Sequence, residues 1–134
     1  MEVGKKTIPL QKQLGKVIST YPLWSGRLIR NALVLDGKVQ PTALSPEYSI
    51  RIQYTLKRRP IVKVLSPKLK LHPDKDELPH IFSQNNSLCL HFNDFDYYND
   101  YLSNTIIVWI TWWLYFYEIW LATGEWQGGG RHPD

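Results

Sequence analysis

At 134 residues, with 43% hydrophobic and 21% charged residues, the chain suits one packed domain, 1–134, and is too apolar for disorder. Its single cysteine excludes an internal disulfide and a multi-cysteine zinc site. The N-terminus lacks the apolar core of a secretory signal, so a cytoplasmic location and no bound cofactor are expected. The net charge of +4 conceals an asymmetry: residues 1–75 hold 15 of the 16 Lys and Arg and only four acids, against one base and eight acids in residues 76–134. Such a split either steers an oppositely charged partner or is consumed by attraction between the halves.

In chain order, Ile8 to Tyr21 reads as an amphipathic helix, with Leu10, Leu14, Val17, Ile18 and Tyr21 three and four apart. Pro9 suits its first turn and Pro22 stops it. A strand is expected over Arg27 to Leu35, ended by a turn at Asp36-Gly37. Tyr48 to Leu56 alternates, with Ile50, Ile52, Tyr54 and Leu56 facing one way, the pattern of a half-buried antiparallel strand. Lys57-Arg58-Arg59-Pro60 is a basic turn, and Ile61 to Leu65 a third strand. Strands in a meander with helices at the chain ends indicate an α+β fold.

Ser66 to Phe82 is irregular, broken by Pro67, Pro73 and Pro79. Asn85-Asn86 makes a turn before a short extended piece, Ser87 to Phe92. Thr105 to Ala122 is apolar nearly all round, which suits a buried helix or a membrane span. Glu118 and the central Trp109, Trp112 and Trp113 argue for burial, and Ile107, Thr111, Leu114 and Glu118 form the weakest stripe, the expected solvent edge.

Chemistry centres on Cys89. A lone thiol between Leu88 and Leu90 suits an inert space-filler as well as a nucleophile. Its nearest base in sequence, His91, stands about 7 Å away if the segment is extended, beyond direct hydrogen bonding. His72, His80, His91 and His132 lack metal-motif spacing. Asp94, Asp96 and Asp100 suit loop solvation, with calcium the sharper alternative. Gly128-Gly129-Gly130 follows a helix and is no phosphate loop. Arg51, Lys57, Arg58 and Arg59 form a candidate partner-binding face, and three or four charges on one turn point away from direct nucleic-acid binding.

The segments Leu78-Pro79-His80-Ile81-Phe82, Ser87-Leu88-Cys89-Leu90 and Trp113 to Trp126 resemble the bacterial ubiquitin-conjugating-like (UBC-like) proteins of type II CBASS anti-phage systems. The resemblance implies a UBC-like fold: N-terminal helix, antiparallel meander, active-site loop and long apolar C-terminal helix. It implies Cys89 as the thioester-forming nucleophile and His80 as a supporting residue. A cGAS-like nucleotidyltransferase, conjugated through its C-terminus, is the implied partner, with no membrane involved. Where the eukaryotic enzymes carry His-Pro-Asn, this chain has Pro79-His80-Ile81, so Asn85 and Asn86 become the candidate oxyanion stabilisers. No adenylating domain fits in 134 residues, so activation is expected from a separate enzyme, or not at all. Two alternatives stay open: a catalytically inactive adaptor of the same fold, and a small membrane-anchored protein.

Overall fold

The computed structural model describes residues 6–90 and 94–129. Helix α1 (Leu10–Thr20) leads into strands β1 (Ser25–Ile29), β2 (Ala32–Val39), β3 (Tyr48–Thr55) and β4 (Ile61–Ser66). These pair antiparallel in the order β1-β2-β3-β4. A two-stranded hairpin, β5 (Ile81–Phe82) and β6 (Ser87–Leu88), lies beside β4, and helix α2 (Ile106–Thr123) closes the chain. The architecture is α+β.

β3 forms as its alternation predicts, with Tyr48, Ile50, Ile52 and Tyr54 buried. Leu35 faces Ile52 and Leu33 faces Tyr54 across the β2–β3 ladder, so one sheet face is continuously apolar. That face joins Val17 of α1 and Ile110, Trp113 and Leu114 of α2 in one core. Burying such a face is what stabilises the sheet.

Three expectations need correction. The strand over Arg27 to Leu35 is two strands: the chain reverses at Arg30-Asn31, with Arg30 in the left-handed region (φ 56°) and Ile29 opposite Ala32. Asp36-Gly37 is no turn but the middle of β2, Gly37 pairing with Ile50. The glycine serves contact instead: a Cβ there would stand 1.9 Å from the Trp24 ring lying over it. The stripe Ile107, Thr111, Leu114 and Glu118 is not the solvent edge either. Ile107 and Leu114 are buried, and the exposed large side chains of the helix are Trp112 (48% exposed) and Tyr115 (43%). An all-apolar helix carries too little asymmetry to reveal which side faces out.

Glu118 instead accepts hydrogen bonds from Ser45 Oγ and the Tyr48 hydroxyl, each at 2.7 Å, tying α2 to the β2–β3 connection. The segment Leu102–Thr123 is long and apolar enough to cross a membrane by length and composition, with 44% of its most apolar window buried inside the fold. Gly124, left-handed at φ 81°, ends α2 by donating its N–H to Trp120 O.

Candidate active site

The hairpin β5–β6 presents Cys89. Phe82 O accepts the N–H of Asn86 at 2.8 Å, and Asn86 takes a left-handed turn conformation (φ 58°). The Asn85 side-chain oxygen then accepts both the Ser87 N–H (3.0 Å) and the Ser87 hydroxyl (2.6 Å). Asn residues suit such turns because their amides mimic backbone groups. The pairing Ile81↔Leu88 and Phe82↔Ser87 continues for one further bond, from Cys89 N–H to His80 O at 2.8 Å. Cys89 is 1% exposed.

His80 is the hinge of this arrangement. It sits at φ 49°, unusual for a residue with a Cβ, and is 8% exposed. Its carbonyl accepts a second hydrogen bond, from Trp113 Nε1–H of α2 at 3.2 Å. Its ring stacks on Trp126, centroids 4.8 Å apart and planes 27° apart. Trp126 follows α2 and is braced by its own Nε1–H to Gly129 O (3.0 Å) and by Phe116, 6.1 Å away between centroids. Thus the backbone that holds Cys89 is gripped by aromatic groups from the far end of the chain. Sequence reasoning assigned Trp113 and Trp126 no such role. The hint available was the Gly-rich stretch after the apolar run, which lets the chain return over the fold.

The four bases of the candidate partner face fall in two places. Arg51 lies on the outer side of β3, its Nε 2.7 Å from Asp36 Oδ1, with Arg27 Nη1 3.3 Å from Asp36 Oδ2. Lys57, Arg58 and Arg59 form the turn after β3, Lys57 at φ 63°. The Arg59 guanidinium lies 4.0 Å from the Phe82 ring centroid, so the basic turn meets the cysteine hairpin. Asp96 and Asp100 cap their own loop, accepting from the N–H of Tyr98 (2.9 Å) and of Asp96 (2.9 Å). Among the described residues no group of three His, Cys, Asp or Glu is placed to hold a metal. His91, Phe92, Gly130 and His132 lie outside the described residues.

No curated protein matches the chain. The family model described as "Type II CBASS E2 protein" matches residues 13–133, which includes the Pro79-His80 segment, Cys89 and all of α2. The chain therefore belongs to the type II CBASS E2 family, the resemblance its hairpin and C-terminal helix carry, and with it to type II CBASS defence.

Proposed function

We propose that the protein is a UBC-like thioester carrier of the cytoplasm, in which Cys89 takes the C-terminal acyl group of a cGAS-like nucleotidyltransferase and passes it to a target. The supporting observation is that the sole thiol of a chain from a conjugating-type family sits on a hairpin whose backbone is fixed by His80. In thiol–thioester exchange, Cys89 Sγ attacks the acyl carbon, the bond from that carbon to the donor sulfur breaks, and the donor sulfur leaves with the proton Cys89 gives up. The exchange trades one thioester for another, so it runs without ATP at this site; a separate activating enzyme loads the donor. An attacking amine then forms the amide, the C–Sγ bond breaks, and one amine proton returns to Cys89.

His80 acts by support, its main chain setting where Cys89 stands. The oxyanion of each tetrahedral intermediate is matched to hydrogen-bond donors near the hairpin, and Asn85 and Asn86 carry exposed carboxamides within four residues of Cys89. Because Cys89 is 1% exposed, an acyl donor reaches Sγ only after the chain over it moves aside. The same burial favours a second reading, an inactive adaptor.

The test mixes the protein with its nucleotidyltransferase and activating enzyme, then looks for a thiol-sensitive adduct on a non-reducing gel. Wild type forms it and Cys89→Ser does not. An equal adduct with Cys89→Ser sinks the assignment, and a thiol that stays unalkylated even with partners present establishes the adaptor. Recovery of the protein solely in detergent-extracted membranes overturns the cytoplasmic placement.

A further inference from the structure

We propose that the cleft between the basic turn and α2 grips an acidic peptide segment carrying one apolar anchor side chain. The cleft holds about 290 Å³, with Arg58 and Arg59 on its rim and Leu88, Leu90, Phe95 and Trp109 among its walls. That volume lies at the lower edge of the roughly 300–1,000 Å³ of small-molecule sites, room for one side chain and its backbone rather than a cofactor.

The rim selects charge. Arg59 is positioned by the Phe82 ring at 4.0 Å, which leaves the edges of its planar fork open to a carboxylate. The ion pairs among the described residues join Arg27 and Arg51 to Asp36, so neither Arg58 nor Arg59 has its charge matched there. Asp94 also lines the cleft, leaving two bases against one acid. A nucleic acid fits less well: Trp109 is 7% exposed and offers no open face for stacking, and two guanidiniums make a short phosphate track.

This inference deepens the thioester reading by naming what the carrier holds. Leu88 and Leu90 line the cleft whereas Cys89 between them does not. A segment seated there therefore runs along the backbone that carries the nucleophile, on the face away from the thiol, and is not the reacting end.

Full-length Cys89→Ser protein is titrated into a fluorescein-labelled ten-residue peptide, one leucine flanked by glutamates in a Gly-Ser frame, and anisotropy is read. Replacing both glutamates by glutamine, or the leucine by serine, is expected to weaken binding at least about tenfold. The double variant Arg58→Gln/Arg59→Gln has the same effect with its melting temperature unchanged, since both side chains are exposed. Added salt weakens the wild-type rim contact as charges beyond roughly 8–10 Å are screened. Equal binding of the glutamine peptide, or by the double variant, overturns the proposal. So does arginine-dependent binding of a single-stranded oligonucleotide where the peptide fails. The thiol is absent throughout, so loss of peptide binding leaves thioester transfer untouched, and loss of transfer leaves the grip standing.

Discussion

His80 occupies a conformation that a side chain makes unfavourable by roughly 1–2 kcal/mol. The contacts that hold it there include Cys89 N–H and Trp113 Nε1–H on its carbonyl, and Trp126 against its ring. The His80 carbonyl binds Cys89, so the backbone angle at residue 80 bears directly on where Cys89 stands. His80→Gly keeps positive φ without strain and loses the ring's contacts, among them a stack of about 0.5–1.5 kcal/mol, so it is expected to cost less than a β-branched residue there. His80→Val is a β-branched residue forced into the same region and is expected to destabilise by about 3 kcal/mol or more. Denaturant midpoints of the two variants check this. Equal stability would mean the hairpin tolerates another path at residue 80. None of this was readable locally, because Trp113 and His80 meet across 33 residues of chain. What was readable was the thiol itself and the Asn85-Asn86 turn that delivers it.

At the scale of elements, legibility followed asymmetry. β3 has one wet and one dry face, so alternation revealed it. β1 is mostly exposed and β2 mostly buried, so their joined stretch carried no single period and the Asp36-Gly37 pair suggested a turn in the wrong place. Gly37→Ala tests the alternative role. A methyl 1.9 Å from Trp24 must displace that buried ring, and a loss of about 2 kcal/mol in unfolding free energy is expected. An unchanged midpoint would show that Trp24 moves freely. α1 was found by its apolar spacing, yet its best-buried residue besides Val17 is Gln13, fully enclosed. Gln13 Nε2 donates to Asp100 O and Gln13 Oε1 accepts from Leu102 N–H, both at 2.9 Å, which stitches α1 to the entry of α2. Gln13→Leu leaves a buried donor and acceptor without partners. At about 1–3 kcal/mol for each, a destabilisation near 3 kcal/mol is expected by chemical denaturation, although leucine is the more apolar residue.

At the scale of the whole molecule, the ion pairs seen among the described residues do not bridge the basic and acidic halves. Both ion pairs among the described residues end on Asp36 and lie within the basic half. What does join the halves is a buried polar-aromatic seam. Tyr48 of β3 donates to Glu118 of α2, and the Tyr117 hydroxyl receives the Lys70 N–H at 2.6 Å. Burial raises the pKa of Tyr48 and Tyr117, with the negative charge of Glu118 adding to both, and burial pushes Tyr54 up to about 12. The folded state therefore holds these phenolic protons more tightly than the unfolded chain, where tyrosine titrates near about 10. Their contribution to stability is complete below pH about 10 and is lost as pH rises through the folded values. Tyr48, Tyr54 and Tyr117 should ionise together with unfolding at higher pH. Tyr48→Phe should lower stability by about 2 kcal/mol at neutral pH, since Glu118 loses a hydrogen bond to its carboxylate, and should soften the alkaline decline. If the phenols of Tyr48, Tyr54 and Tyr117 ionise in a spectrophotometric titration while circular dichroism stays native, the seam is open to water and does not lock α2 to the sheet.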